Sequence, residues 1–261
     1  MLRFFQKMRN ALVPESRFGR YFFYALGEIL LVVIGILIAI RLNNWNEARK
    51  NHRMEITYMV NLKEDLQQDS LQLERLIKWN QMSVNSCNNL IETIRNHSTL
   101  NFYQFYSNMD YILPHITFIP NQNTFNEMKS SGNLNVIKND SLKSLLIQLD
   151  VLYQLIKSSE QFLEREYFQY VFDKFHLYIN NSDFIDLITF EKKTNYQVDS
   201  TMVKINRENL EKDMYLLMAD KLFDNGLYAL SHDKKGLINK YLFTLKNIHT
   251  LLYLLDKELK N

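Results

Sequence analysis

The chain has 261 residues, of which 46% are hydrophobic and 23% are charged, and its formal net charge is +2. Six glycines and three prolines are too few for a fold built on many tight turns, so long helices are favoured. Residues 1–40 carry five basic and two acidic side chains, which leaves residues 41–261 almost neutral and argues against a nucleic-acid-binding function.

Residues 1–20 form a basic N-terminal tip. Leu2, Phe5, Met8 and Leu12 recur at helical spacing among basic side chains. This pattern is typical of an amphipathic helix lying on an anionic membrane surface. A frayed basic tail that only orients the following segment is the alternative.

Residues 21–41 are predicted to form a transmembrane helix. The run from residue 21 to residue 40 contains one charged side chain and, at ~1.5 Å per residue, covers the ~30 Å of a bilayer's hydrocarbon core. Tyr21 and Tyr24 at one end, and Arg41 and Trp45 at the other, suit the two headgroup regions. A cleaved signal peptide has a shorter apolar region that ends in small residues, so we expect an anchor.

The basic tip favours a cytoplasmic N-terminus, because cytoplasmic flanks carry the excess of Lys and Arg. The basic residues after the span (Arg41, Arg49, Lys50 and Arg53) are partly offset by acidic ones and make this preference modest. We therefore expect a single-pass protein of the bacterial inner membrane whose large domain is periplasmic.

One face of the predicted span carries small residues and a carboxyl group. Gly27, Glu28, Gly35 and Ala39 lie on this face, and Gly35 and Ala39 have the spacing of a small-residue contact motif. A carboxyl group inside an apolar run is costly unless it is protonated, paired or reaches the headgroups. The face is predicted to associate with another helix, from a second copy or a partner membrane protein. The alternative is an isolated helix in which Glu28 snorkels to the interface.

Two blocks of sequence resemble a known family. The first is residues 24–39, with Gly27-Glu28-Ile29 at its core, followed by Asn43-Asn44-Trp45-Asn46-Glu47; the second runs from Thr124 to Leu142. Together they resemble a family of bacterial single-span membrane proteins of unknown function. The resemblance implies an anchored helical protein and supplies no reaction, ligand or catalytic residue.

Residues 42–261 are predicted to form an antiparallel bundle of long helices, which makes the fold class all-α. From Met59 to Ile94 apolar residues recur every three or four positions, interrupted by Asp69 and Asn80, and Cys87 lies in this pattern as a core residue. No helix breaker separates this helix from the span.

Further helices are predicted in chain order. Residues 101–112 form a short aromatic helix ended by Pro114, whose aromatic side chains line either the core or a ligand pocket. Thr124 and Gly132 are predicted to cap a second short helix, and Asn139 or Asp140 a long one. Residues 180–206 are predicted to be a loop with a short strand, and residues 207–223 and 234–259 two final helices.

The sequence contains no recognisable catalytic or metal-binding motif. Six histidines are scattered, and the best metal-like pair, Asp173 and His176, is better explained as solvated or hydrogen-bonded, since a di-metal bundle needs two such pairs and further carboxylates. Glu160, Glu164 and Glu166 beside Arg165 are interpreted as an exposed face. We therefore expect no enzymatic activity and no cofactor.

Two classes of function follow. The first is a membrane-anchored structural or interaction component of the cell envelope, which oligomerises or docks on a partner. The alternative is a periplasmic ligand-sensing bundle that signals through a partner membrane protein, because twenty cytoplasmic residues cannot hold a signalling domain.

Overall fold

The computed structural model describes residues 17–180 and 200–260. The predicted amphipathic helix at residues 2–12 lies outside the described residues. Every regular element in the described part of the chain is helical, which confirms the all-α prediction. The elements are α1 (Arg17–Arg95), α2 (Phe102–Ile112), α3 (Asn123–Ser130), a 3₁₀ helix (Asn133–Val136), α4 (Asp140–Tyr167), a π-helical segment (Phe168–Phe172), α5 (Asp173–Tyr178), α6 (Ser200–Met218) and α7 (Lys221–Lys260).

The chain divides into two compact units, Met1–Thr57 and Tyr58–Asn261, and α1 contributes residues to both. In the first unit the described side chains from residue 25 to residue 50 are all exposed. Leu31, for example, is 75% exposed and Trp45 is 65% exposed. By length and composition this part of α1 is sufficient to cross a membrane.

The second unit is an antiparallel bundle built on α4, α7 and the part of α1 that begins at Tyr58. Side-chain contacts pair α1 with α7 in opposite directions, since Lys63 contacts Asp256 and Asn80 contacts Lys234. Contacts between α4 and α7 also run in opposite directions: Asn139 contacts Glu258 and Ser159 contacts Lys240. Hence α1 and α4 are parallel to each other, and both are antiparallel to α7.

Apolar residues at steps of three and four form the core of this bundle. The residues are Met59, Leu62, Leu66, Leu73 and Leu76 on α1; Leu142, Leu146, Leu149, Ile156 and Leu163 on α4; and Leu230, Leu237, Ile248, Leu251 and Leu255 on α7. Cys87 is 0% exposed, which confirms its predicted place in the core.

Several predicted helix ends are confirmed. Helix α1 ends at Arg95, where the apolar pattern weakens. The Asn139 side chain accepts a hydrogen bond from the backbone N–H of Leu142 (3.0 Å) and so caps α4. Gly132 follows α3 in the left-handed conformation (φ 73°), which a residue without a Cβ adopts at little cost.

Four predicted helix boundaries are wrong. Thr124 does not cap α3, which begins one residue earlier at Asn123; instead the Thr124 N–H donates to Asp65 Oδ2 (3.2 Å). Residues 200–206, predicted as part of a loop, belong to α6, which begins at Ser200. The predicted helix 207–223 is interrupted, because Asp220 Oδ1 accepts hydrogen bonds from the N–H groups of Leu222 and Phe223 and starts α7 there. Helix α7 therefore begins at Lys221 and not at the predicted residue 234.

Candidate functional site

The segment 113–122 connects α2 to α3 without regular secondary structure. Pro114 and Pro120 exclude a helix here, so the backbone N–H groups of the segment need partners from outside it. Two carboxylates supply them: Phe118 N donates to Glu160 Oε1 (2.9 Å) and Asn121 N donates to Asp69 Oδ1 (2.8 Å). These carboxylates, on α4 and α1, fix the segment to two helices of the bundle.

Asp69 is 0% exposed and accepts three hydrogen bonds. Besides the Asn121 backbone, the Asn121 side-chain amide donates to Oδ1 (3.1 Å) and the Tyr153 hydroxyl donates to Oδ2 (2.5 Å). Burial raises the pKa of Asp69, although these hydrogen bonds favour its ionised form. Asp69 is therefore a satisfied buried acid that joins α1, α4 and the 113–122 segment.

Glu160 is the second buried acid, with 5% of its surface exposed. Its Oε1 atom accepts both the Phe118 N–H and the Tyr241 hydroxyl of α7. Within the described part of the chain, Oε2 accepts no hydrogen bond and no cation forms an ion pair with the carboxylate. Burial raises the pKa of Glu160 against the opposing effect of the two hydrogen bonds.

Two cavities flank the segment. One, of about 450 Å³, lies against α4 and is lined by Phe118, Tyr153, Lys157, Glu160 and Glu164 among others. The other, of about 540 Å³, lies against α1, and its lining combines polar side chains with the apolar side chains of leucine, isoleucine and tryptophan residues. Ile119, which is 72% exposed, borders both cavities. Both volumes fall in the range of small-molecule sites.

A second polar cluster surrounds Lys234 of α7, which is 4% exposed. The Lys234 ammonium group donates to Asn80 Oδ1 of α1 (3.2 Å), and one turn earlier Ser231 donates to Asn88 Oδ1 (2.8 Å). No carboxylate of the described residues forms an ion pair with Lys234. Burial lowers the pKa of Lys234 to about 8. The same burial raises the pKa of the Cys87 thiol to about 12, so this thiol is not an activated nucleophile.

The residues that the sequence assigned to helix association lie on the exposed part of α1. Glu28 and Ala39 are exposed, and a Cβ placed on Gly27 or Gly35 would meet no atom within 4 Å. This face thus has room for the close approach of another helix, and association stays a prediction. Tyr21 and Arg41 are also exposed, and the Arg49 guanidinium lies 6.0 Å from the Trp45 ring. The side chain of Tyr24 lies outside the described part of the structure.

Glu160 and Asp69 were missed as site residues by the sequence interpretation. The sequence pattern places Glu160 on an exposed face, and this prediction is wrong because its side chain is buried against the 113–122 segment and α7. The spacing of Glu160 in the sequence indicates its burial, because Glu160 lies four residues after Ile156 and three before Leu163, and both of these are core positions. Among the described residues, no group of three or more His, Cys, Asp or Glu side chains is placed to hold a metal ion.

The described residues define an all-α protein in which one helix is long and apolar enough to cross a membrane and two buried acids lie beneath a non-helical segment. Residues 28–196 match the model of a family of unknown function, DUF6090, and the chain belongs to this family. Membership confirms the expected relation to a family of unknown function, whereas the bacterial, single-span character that the resemblance implied stays a prediction. No curated protein and no solved structure matches the chain.

Proposed function

We propose that this protein is a single-pass, membrane-anchored interaction protein of the bacterial cell envelope, which oligomerises or docks on a partner membrane protein through its anchor. The observation that carries the proposal is the apolar part of α1, whose described side chains from residue 25 to residue 42 are all exposed. A contiguous apolar surface of this extent is unfavourable in water and suits lipid or another helix.

The face of Gly27, Glu28, Gly35 and Ala39 supplies the contact in this proposal. Lipid gives helices no hydrophobic drive to pair, so close backbone approach at small residues and interhelical hydrogen bonds stabilise the association. A protonated Glu28 can donate such a hydrogen bond. Catalysis is no part of the proposal, since the sequence carries no recognisable catalytic motif.

The substitution Gly35→Leu tests this role. Two differently tagged copies of the full chain are co-expressed and recovered from mild detergent, and both the second copy and any stoichiometric partner are quantified. We expect Gly35→Leu to reduce this recovery several-fold, because the Leu side chain holds the two backbones apart. Gly19→Leu, outside the predicted span, is the matched control and should recover as the unchanged chain does. Equal recovery for Gly35→Leu would mean that the face is only lipid-exposed surface.

A ligand-sensing bundle is the second candidate function. The observation that favours it is the pair of cavities on either side of the 113–122 segment. In this role a bound small molecule biases the position of the segment, and the anchor transmits the change to a partner membrane protein.

A further inference from the structure

We propose that the cavity between α4 and the 113–122 segment binds a small organic cation through a primary ammonium group, with the Glu160 carboxylate of its lining as the binding group. This inference rests on the second candidate function for its biological consequence and names the class of ligand. It concerns the amine-binding cavity, meaning the volume of about 450 Å³ lined by Phe118, Tyr153, Lys157, Glu160 and Glu164.

The unused oxygen of Glu160 carries the argument. A carboxylate that is 95% buried is costly unless its charge and its lone pairs are compensated. Both of its hydrogen bonds from described residues end on Oε1, and Glu160 forms part of the cavity lining. Among the described residues no donor reaches Oε2, so this oxygen of a cavity-lining side chain has a lone pair to offer a ligand. The lining of the cavity therefore includes a carboxylate oxygen that can accept a hydrogen bond from a ligand.

The other charges of the lining select a cation. Glu164 lies one helical turn after Glu160, and Lys157 lies three residues before it, so the lining carries two carboxylates and one ammonium group. Two acidic side chains against one ammonium group favour a cationic ligand over an anionic one. A metal ion would need further protein ligands, and the described residues offer no group of three acidic, His or Cys side chains.

The walls favour a cation that carries a short apolar chain. The rings of Phe118 and Tyr153 meet edge to face with centroids 5.3 Å apart, and both residues line the cavity. Aromatic rings attract a cation and cover methylene groups at the same time. The size of the cavity suits a free small molecule.

The test uses the full chain in a non-ionic detergent and 1,4-diaminobutane as the probe, with binding measured by isothermal titration calorimetry. The uncharged isostere 1,4-butanediol is the ligand control. We expect saturable binding of the diamine, no binding of the diol, and at least about a tenfold loss of diamine affinity in Glu160→Gln, because a charge-assisted hydrogen bond is lost. The Gln side chain keeps an oxygen that can accept from Phe118 N and the Tyr241 hydroxyl, so the fold is retained.

Glu166→Gln is the matched control variant, since it removes a carboxylate of α4 that does not line the cavity, and it should bind the diamine as the unchanged chain does. Glu164→Gln removes a second carboxylate of the cavity lining and should also weaken diamine binding. This variant replaces Glu160→Gln as the test if Glu160→Gln fails to fold. Equal affinity of the diamine for the unchanged chain and for the cavity variants, or equal binding of the diol, overturns the proposal. If the diamine binds but the recovery of a partner protein is the same with and without it, the binding site is supported and the ligand-sensing function is contradicted.

Discussion

Lys234 places an ammonium group in the core of the bundle with an amide oxygen as its hydrogen-bond partner. Burial lowers its pKa from 10.5 to about 8, so the native state holds the proton less tightly than the unfolded chain does. Below pH 8 both states are protonated and the full cost of burying the charge is present. Between pH 8 and pH 10.5 the native state loses the proton first, and stability rises with pH across this window.

The substitution Lys234→Met should therefore stabilise the protein at pH 7. The pKa shift corresponds to roughly 3 kcal/mol, from which the lost hydrogen bond to Asn80 removes about 1 kcal/mol. The gain should shrink as the pH approaches 10, because the unchanged chain then buries a neutral amine. Urea unfolding of the unchanged chain and of Lys234→Met, at pH 7 and at pH 9.5, measures this difference in the free energy of unfolding. The exposed neighbour Lys235→Met is the control and should change stability little at either pH; a pH-independent gain for Lys234→Met would contradict the linkage.

Sequence periodicity predicts the apolar core well and the buried polar residues poorly. Asp69 and Asn80 were recognised as interruptions of the α1 pattern, and both are buried. Glu160 was missed, because acidic residues grouped with an arginine are typical of an exposed face. Its burial depends on Phe118 and Tyr241, which are distant in sequence, and only the tertiary structure brings their donors to one carboxylate.

At the scale of the element, α7 contains two glycines in contrasting surroundings. A Cβ on Gly226 would lie 2.7 Å from the Cβ of Tyr170 in the π-helical segment, whereas a Cβ on Gly236 would meet no atom within 4 Å. The π-helical segment and α7 approach each other closely at Gly226, and only a residue without a side chain fits there.

These glycines give a matched pair of substitutions. Gly226→Ala should destabilise the protein by about 1–3 kcal/mol, because the backbone at Tyr170 or at residue 226 must shift to admit the methyl group. Gly236→Ala should stabilise it by about 0.5–1 kcal/mol, since alanine loses less conformational entropy in an exposed helix position. Thermal unfolding of the two variants measures both effects. Equal effects of the two substitutions would show that the Gly226 contact is absent.

Two of the helix boundaries with a local capping signal were predicted, and a third was not. Asn139 and Gly132 act through their own side chain or backbone, and both were identified correctly. The break between α6 and α7 was missed although Asp220 caps α7 by the same local hydrogen bonding as Asn139 caps α4. Asp220 also accepts hydrogen bonds from Lys174 (2.8 Å) and Tyr178 (3.0 Å). The contribution of these distant donors has no local sequence pattern.

At the scale of the whole molecule, the all-α class followed from the scarcity of turn residues and the regular apolar spacing, and the structure confirms it. Composition and period carry this information because burial of an apolar face is the main contribution to bundle stability. Orientation in a membrane depends instead on charges outside the helix, and it stays a prediction.

A reporter fusion tests this orientation. A reporter that is active only outside the cytoplasm, fused after Asn261, should be active if the basic N-terminal tip is cytoplasmic. A reporter that is active only in the cytoplasm, fused at the same position, is the matched control and should be inactive. The reverse pattern would show that the large domain is cytoplasmic.

Cys87 is a natural probe of the transient opening of the helical bundle. The only thiol in the sequence is fully buried and almost entirely protonated at neutral pH. A thiol reagent can reach it only while the helices around it are apart, so the labelling rate counts those openings. The labelling rate of Cys87 therefore reports how often the bundle opens, without any engineered probe. A ligand or partner that holds the helices together should lower this rate.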